Sequence, residues 1–436
     1  MTVCFTFDWV NAAPSPDVAM GQTMAQLWIH VNEAAVTSVR DRRSDARRDH
    51  IVVPLLGVAE WVIGNWCHIQ HEVPGATADM TRQKTGFEQR HNLAFAGDGF
   101  LFPKLTMAPS VGGMQQLRWT PWQPQHARIE FVAEGEAPVT RDQLQAELER
   151  IVEAVLDRLR SFGHRQDSVI SHLQDPWEAI KTLDPDEHEF CRAAALLGVD
   201  PFAVHQEAAE AITAFWERTE PAIREDMLAS LEEATLPNAS PWLDETRKIL
   251  EREDAGSGNE WAAIRRGLRH RLPDLPIAQP WRRGYALARS LRHDLGCGNG
   301  WFDFASSGQP ALHHQEISMP SSRMEGLVAA GAPACVIASR GADAARFLCA
   351  RALGDYMGRS EAGLGVLTSM DTARQAQSRA FAAELLAPAE SLRARLAGRE
   401  AEEDVIRGLG LEFGVSTWLI NHQIRNHDLV QPCPSG

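Results

Sequence analysis

Apolar and polar residues alternate with the period of a β-strand at the beginning of the chain. In residues 26–32 the apolar side chains stand at every second position, and a second such segment follows at 35–39, which predicts a β-hairpin. Three further strands, separated by Gly and Pro turn signals, are predicted at 92–96, 115–119 and 127–132. We therefore expect the first part of the protein to be rich in β-structure.

Two segments of the same region have the three-to-four-residue period of a helix instead. The first, residues 52–71, is expected to begin near Pro54, because Pro is tolerated in the first turn of a helix. The second, residues 140–162, is expected to be capped by the hydroxyl group of Thr140. The apolar residues that define these two helical faces are Leu56, Val58, Trp61, Val62 and Trp66, and then Leu144, Leu148, Ile151, Val155 and Leu159.

The later part of the chain is mainly helical, with a few short strands near its end. Residues 166–295 are acidic and interrupted by Pro, and residues 254–259 have the composition of a linker. Strands are predicted at 301–304, 326–330 and 335–339. The helices predicted after them are 341–358, 371–387, 388–397, 401–412 and 415–427, the last one capped by Ser416.

These elements predict a multidomain α+β protein. The expected domains are a β-rich domain that ends in a long helix (1–165), a helical domain (166–295), and a domain of short strands and helices (296–436). A chain of 436 residues with 44% apolar residues is long enough to bury cores of this number and size.

Charge and cysteine content narrow the class of function. The net charge of −15 argues against broad adhesion to nucleic acid or membranes. The seven Cys residues are dispersed and form no Cys-x-x-Cys pair, which is typical of free thiols in a reducing cytoplasm. The longest apolar runs, 51–67 and 326–339, are too short or too interrupted to span a bilayer. We therefore expect a cytoplasmic protein.

One segment has the layout of a peptidase helix without the groups that peptide hydrolysis requires. Residues 346–355 read Arg-Phe-Leu-Cys-Ala-Arg-Ala-Leu-Gly-Asp. A zincin helix carries His-Glu-x-x-His, because two imidazoles one turn apart hold the zinc ion and the Glu activates water. The three corresponding positions here are Arg351, Ala352 and Asp355. An Arg side chain keeps its proton and cannot bind a cation, and an Ala methyl group cannot transfer a proton.

Two further blocks support a family resemblance. Residues 381–388 read Phe-Ala-Ala-Glu-Leu-Leu-Ala-Pro, and residues 413–416 read Phe-Gly-Val-Ser. Together with the Arg-Phe pair before the degenerate motif, they make residues 291–429 resemble the C-terminal domain of the ImmA/IrrE family of bacterial metallopeptidases. The resemblance implies a zincin-like fold, in which a small twisted sheet lies beside helices and two helices form the former metal cleft. It also implies an acidic third zinc ligand, where this chain has only Gln375 and Gln377.

The site implied by the resemblance is a vestigial cleft formed by Arg351, Ala352, Asp355, Gln375, Gln377 and Glu384. We expect no catalytic residue, no metal ligand and no cofactor there, and we predict that zinc is absent. Since Arg351 and Asp355 stand four residues apart on a helix, they are expected to form an ion pair that fills the cleft and rejects metal. Glu384 belongs to the second family block and is expected to have a structural role.

Several other groups of residues allow both a structural and a functional interpretation. The His-Ile-Gln-His-Glu segment at 68–72 is interpreted as polar residues at a helix end rather than as a metal site. Cys349 is expected to be a small buried residue rather than a nucleophile. Residues 187–212 resemble a helix-turn-helix, but the second helix carries two Glu and no Arg or Lys, so that helix packing is favoured over DNA binding. The mixed-charge segment 40–50 is interpreted as a solvated loop rather than a phosphate-binding patch.

The favoured hypothesis is a catalytically inactive ImmA/IrrE-like protein that binds a protein, peptide or small molecule and acts as a bacterial regulator, sensor or defence component. Family members act in stress responses, mobile elements and phage defence, so this expectation rests on analogy. One alternative is an active metallo-endopeptidase with non-standard ligands that cleaves a repressor or partner. Another is a DNA-binding transcription regulator. A membrane partner is not expected.

Overall fold

The computed structural model describes residues 2–10, 17–75, 81–97, 99–110, 113–125, 127–162, 167–253, 258–271, 279–304, 312–359, 363–396 and 401–429. It is rich in strands at its beginning and in helices later, which confirms the predicted α+β class. Two compact units are formed, Met1–Pro74 with Ala78–Ala209 and Gly75–Thr77 with Glu210–Gly436. The predicted boundary at 165 therefore lies within the first unit, and the predicted helical domain 166–295 is divided between the two.

The first unit combines antiparallel sheets with long helices. Its strands are β1 (Val3–Trp9), β2 (Met24–Val31), β3 (Ala34–Ala35), β4 (Val39–Asp41), β5 (Arg47–Arg48), β6 (Ile51–Pro54), β7 (Lys104–Pro109), β8 (Met114–Thr120), β9 (Ile129–Phe131) and β10 (Gly135–Thr140). Its helices are α1 (Val18–Gln22), α2 (Leu56–His71), α3 (Thr81–His91), α4 (Arg141–Arg160), α5 (Asp167–Lys181), α6 (Pro185–Leu197) and the beginning of α7 (Gln206–Arg218). In the sheets, β2 pairs with β1, β3 and β6, β8 lies between β10 and β7, and β4 lies between β5 and β9.

Most predicted elements of the first unit are present, with two corrections. The predicted hairpin is present as β2 and β3, but its second strand is shorter than the predicted 35–39, because β3 covers only Ala34–Ala35 and Val39 belongs to β4. Strand β2 makes its longest pairing with β1, which the sequence did not predict. Pro54 ends strand β6 instead of opening a helix, and α2 begins at Leu56. Residues 92–96 form a 3-10 turn, Leu93–Phe95, because the Asn92 side chain accepts a hydrogen bond from the Ala94 N–H group and caps a helical turn.

The core of the first unit extends past residue 165. Leu173 and Trp177 on α5 and Cys191 on α6 are buried in the same apolar cluster as the sheets and α4. The Trp177 ring packs edge-on against Trp66 at 5.1 Å between centroids, and its indole N–H donates to Glu153 at 2.7 Å. Helices α5 and α6 are therefore part of this unit.

The second unit is a small mixed sheet with helices. Its further helices are α8 (Pro221–Ser230), α9 (Leu236–Glu253), α10 (Gly258–Arg271), α11 (Pro280–Asp294), α12 (Ala342–Gly358), α13 (Ala373–Leu386), α14 (Ala389–Leu396), α15 (Glu403–Phe413) and α16 (Thr417–Asn426). Its strands are β11 (His314–Ile317), β12 (Met324–Val328), β13 (Cys335–Ala338) and β14 (Gly365–Thr368), in the order β11-β13-β12-β14. Only the β11–β13 pair is parallel.

The five helices predicted after residue 340 are confirmed, including the cap by Ser416, whose hydroxyl accepts from the Leu419 N–H group. Strands 326–330 and 335–339 are confirmed as β12 and β13, whereas residues 301–304 form no strand. Strand β14 was not predicted. Most of the predicted linker, 254–257, lies outside the described residues. No helix within the described part of the chain has both the length and the apolar character to cross a membrane.

The position of α5 and α6 predicts which fragment of the chain folds. We expect residues 1–205 to show cooperative thermal unfolding by near-UV circular dichroism, and residues 1–165 to lack it, because the shorter fragment exposes the apolar surface that α5 covers. Within 1–205, Trp177→Ala should lower the free energy of unfolding by about 3–5 kcal/mol. Phe202→Ala, at a side chain that is 53% exposed, is the matched control and should change it little. Equal cooperativity of both fragments would contradict the assignment.

Candidate functional site

Helix α12 is deeply buried at the positions of the degenerate motif. Its residues from Leu348 to Met357 are buried without a break, against the sheet on one side and α13 on the other. Gly354 permits the close approach of α13, because a Cβ atom at this position would lie 2.5 Å from the Phe381 ring. The packing places the side chains of α12 next to the strands β12, β13 and β14.

The Arg351 side chain occupies the middle of this region. It is only 2% exposed, and its guanidinium donates hydrogen bonds to four different acceptor residues. The acceptors are a Glu325 carboxylate oxygen, the Thr368 carbonyl oxygen at 2.9 Å, the Gln375 amide oxygen at 2.6 Å and the Ser378 hydroxyl at 3.4 Å. A buried guanidinium needs both a counter-ion and acceptors for its N–H groups, and this arrangement supplies both.

Gln375 links this arrangement to the rest of the unit. Its amide oxygen also accepts from the Thr368 N–H group at 3.0 Å, and its amide nitrogen donates to Asp226 at 2.9 Å and to the Val366 carbonyl at 2.8 Å. Both ends of the side chain are thus fully hydrogen-bonded in a position that is completely buried. A neutral amide suits this place because it donates and accepts at the same time, which a carboxylate cannot do.

Asp355 is held by a different set of partners. It is 2% exposed and forms ion pairs with Arg374 at 2.5 Å and Arg359 at 3.1 Å. Burial alone would raise the pKa of Asp355, but the charges of Arg374 and Arg359 outweigh it, so that the pKa lies below its ordinary value. The predicted ion pair between Arg351 and Asp355 does not form, because each side chain meets a closer partner of opposite charge.

The remaining predicted positions do not all meet in one cleft. Ala352 is fully buried on α12, whereas the Gln377 amide nitrogen lies against Gly358, two turns after Arg351. Glu384 lies nine residues after Gln375, about 13 Å further along α13 at 1.5 Å per residue. Its carboxylate accepts from Arg289 at 2.7 Å and from the Ala389 N–H group at 3.3 Å.

These residues do not fit a zinc ion. A metal at the Arg351 position would face a guanidinium, which repels it, and Asp355 is already bound by two arginines. Within the described residues, no group of three or more His, Cys, Asp or Glu side chains is arranged to hold a metal ion. The arrangement can hold α12, α13 and the sheet in one fixed position, and we refer to it below as the Arg351 network, comprising Glu325, Arg351, Thr368, Gln375 and Ser378.

A second buried polar cluster lies in the first unit. Glu72, expected to be one of several polar residues at a helix end, is only 7% exposed. It pairs with Arg90, with His68 Nδ1 at 3.2 Å and with His91 Nε2 at 3.1 Å. Burial would raise the pKa of Glu72, but hydrogen bonds from Arg90, His68 and His91 lower it well below its ordinary value. The cluster joins the ends of α2 and α3 and is not a plain helix end.

The other candidates have structural positions. Cys349 is buried on α12, as expected. The helix-turn-helix candidate forms α6 and α7, with Gly198 in the left-handed conformation at the end of α6. The segment 40–50 contains the short strands β4 and β5, and its Arg40 is paired with Glu130 on the neighbouring strand at 2.7 Å. None of these features provides a reactive group in a cavity.

Sequence reasoning missed Glu325, Arg359, Arg374 and Asp226, the residues that compensate the buried charges. Arg359 follows Asp355 by four residues, directly after the end of α12, so that helical spacing could have indicated this pair. Glu325 lies on a strand 26 residues before Arg351, and no local pattern points to it.

Comparisons of this chain with protein-family models, with curated proteins and with solved structures find no match. The resemblance to the ImmA/IrrE family therefore stays a prediction that rests on the three sequence blocks.

The contact between β14 and Asp355 predicts the effect of adding one methyl group. In Gly365→Ala, the new Cβ atom would lie 1.9 Å from an Asp355 carboxylate oxygen, which is tied to two arginines and cannot move freely. We expect a loss of about 1–3 kcal/mol in the free energy of unfolding, measured with urea. Gly408→Ala on α15 is the matched control, because it has open space around it and should be neutral or stabilising. A loss of the same size in both variants would contradict this account.

The lowered pKa of Asp355 predicts a pH-dependent contribution to stability. Because the ionised form is favoured in the folded state, its contribution is fully present above the unfolded-state pKa and is lost as the pH falls through the folded-state pKa. Asp355→Asn should therefore be less stable than the wild type by about 3–5 kcal/mol near neutral pH. The difference should shrink as the pH is lowered below about 4, the usual range for Asp. Urea unfolding at several pH values measures it, and a difference that stays constant with pH would refute the ion pairing.

Proposed function

We propose that the second unit is a catalytically inactive ImmA/IrrE-like domain and that the chain acts as a bacterial regulatory, sensor or defence-associated binding protein. The observation that carries the proposal is the buried Arg351 side chain, whose hydrogen bonds reach β12, β14 and α13. It stands where the predicted peptidase motif has a zinc-binding imidazole. A cytoplasmic location and a protein, peptide or small-molecule partner belong to the same proposal.

The side chains at all three positions of the motif support the absence of catalysis, so that the proposal does not rest on one substitution. The first position of the motif carries a fixed positive charge, the second carries no titratable group, and the third is a carboxylate saturated by Arg359 and Arg374. A zinc ion and an activated water molecule would need lone pairs directed into the cleft. Here the lone pairs of Asp355 and Gln375 are already directed at N–H groups of the protein.

Exposed apolar side chains support a role in binding. Leu411 on α15 is 79% exposed, and Trp418 on α16 is 64% exposed. Trp301 is 49% exposed and lies against Gly414, where a Cβ atom would meet its ring at 2.2 Å. Contiguous groups of exposed apolar residues are typical of surfaces that contact other proteins, and the helices α15 and α16 that carry Leu411 and Trp418 pack against each other.

Metal content tests the proposal directly. We expect protein purified without chelator from zinc-supplemented cultures to contain far less than one zinc ion per chain by mass spectrometry, because the cleft has no open ligand. The melting temperature should be the same with and without EDTA. Asp355→Ala serves as the comparison. One tightly held zinc ion per wild-type chain that this variant loses would overturn the proposal.

The binding role is tested with proteins encoded beside this chain. Each is mixed with the purified chain, and complexes are detected by size-exclusion chromatography while fragments are detected by electrophoresis. A binding protein gives a complex that survives EDTA and leaves the partner intact. Cleavage that EDTA stops and that Asp355→Ala abolishes would instead favour an active metallo-endopeptidase. Complexes with the promoter DNA that weaken with salt would favour a transcription regulator.

A further inference from the structure

A cavity of about 640 Å³ lies at the other end of α13, away from the Arg351 network. It is formed by α11, the junction of α13 with α14, and the residue that follows α16. Side chains that carry or can carry charge dominate its wall: the basic residues are Arg289, Arg292, His293, Arg393 and His427, and the acidic ones are Glu384 and the exposed Glu390. A cavity of this volume is in the usual range for small organic ligands.

Arg292 gives the cavity a positive charge, and no carboxylate of the described residues forms an ion pair with it. It is 5% exposed, and its guanidinium donates to the carbonyl oxygens of Gly298, Gly300 and Leu385. These contacts hold the Gly-rich loop after α11 in place. Because carbonyl groups are neutral, the full charge of Arg292 remains at the back of the cavity.

Glu384 is already compensated by the protein. Its carboxylate accepts from Arg289, from the first N–H group of α14 at Ala389, and from the Gln423 amide at 3.2 Å. It thus caps the amino end of α14, where the helix dipole favours negative charge. The charge of Glu384 is offset by Arg289 and by these hydrogen bonds, so that it does not attract a cation into the cavity.

Three basic groups remain directed to the space inside. In the Arg289 side chain, Nε is the one nitrogen atom that has a hydrogen-bond partner among the described residues. The side chain is 58% exposed, so that its two terminal amino groups are free. Arg393, in the last turn of α14, is exposed in the wall of the cavity. His427 Nε2 is buried without a hydrogen-bond partner among the described residues, and its nearest carboxylate oxygen, on Glu384, is 3.7 Å away.

We propose that this cavity binds a small organic ligand through an oxyanion head group, a phosphate or a carboxylate. The terminal amino groups of Arg289 and Arg393 would hold two of its oxygen atoms, in the forked geometry that favours such groups. His427 Nε2 would gain the hydrogen-bond partner that it lacks, which removes the penalty of a buried unpaired polar atom. The rest of the cavity would receive the organic part of the ligand. This inference does not depend on the loss of the zinc site.

The test is isothermal titration calorimetry of the full chain in Tris-chloride buffer with four probes. Inorganic phosphate and adenosine monophosphate represent the phosphate head group, citrate represents the carboxylate, and adenosine is the uncharged control. We expect adenosine monophosphate or citrate to bind more tightly than inorganic phosphate, and adenosine to give no signal. The charged probe that binds best identifies the head group.

The double variant Arg289→Gln with Arg393→Gln should lower the affinity for the best-binding probe at least about tenfold, since it removes two charge-assisted contacts. Arg393→Gln alone, at an exposed side chain, keeps the result interpretable if the double variant unfolds, and should give a smaller loss. Arg407→Gln on α15 removes one positive charge outside the cavity, as Arg393→Gln alone does inside it; it is the matched control for that single variant and should bind like the wild type. Absence of binding by every charged probe, or equal weakening by Arg407→Gln, would overturn the proposal. Zinc content plays no part in either outcome.

Discussion

The second unit depends on the burial of one guanidinium group. Arg351 brings a permanent positive charge to a place that is 2% exposed, where an uncompensated charge would be strongly destabilising. The compensation comes from three separate elements, since Glu325 lies on β12, Thr368 at the end of β14, and Gln375 on α13. Each of these elements must therefore be in its native position before the Arg351 charge is stable. The network specifies how the helices lie against the sheet, in addition to any stability it contributes.

Helix α13 connects two polar regions, of which one is fully hydrogen-bonded and the other is an open cavity. Near its beginning, Gln375 completes the buried Arg351 network, and near its end, Glu384 caps the next helix in the wall of an open cavity. Between them the helix is held by close packing, because Gly284 on α11 leaves room for its backbone, with a Cβ atom there only 2.3 Å from the Gln377 carbonyl oxygen. A rigid helix thus separates a saturated site from one that retains free donors.

The sequence predicted the elements whose causes are local. The apolar period of α4 and the caps at Thr140 and Ser416 depend on residues within a few positions of each other, and these helices are present. Pro54 was misplaced because a Pro at the end of a strand and a Pro in a first helical turn look alike in sequence. The position of α5 and α6 in the first unit depends on contacts such as that of Trp177 with Trp66, more than 100 residues away, which periodicity does not contain.

In the candidate site, too, the sequence shows what depends on local residues and does not show contacts between distant ones. That Arg351 cannot bind a cation and Ala352 cannot transfer a proton follows from side-chain chemistry, whereas the partners of Arg351 and Asp355 follow from the fold. An Arg and an Asp one turn apart would pair on an isolated helix, but in the folded unit Glu325 and Arg374 offer shorter contacts. The consequence is a site with two separate charge-compensated groups rather than one internal pair. Replacing Arg351 by His would leave Glu325 without its buried counter-ion and Asp355 still bound by arginines. Metal binding at this place would therefore need coordinated changes on β12, α12 and α13, because the packing of the whole region, and not one residue, opposes it.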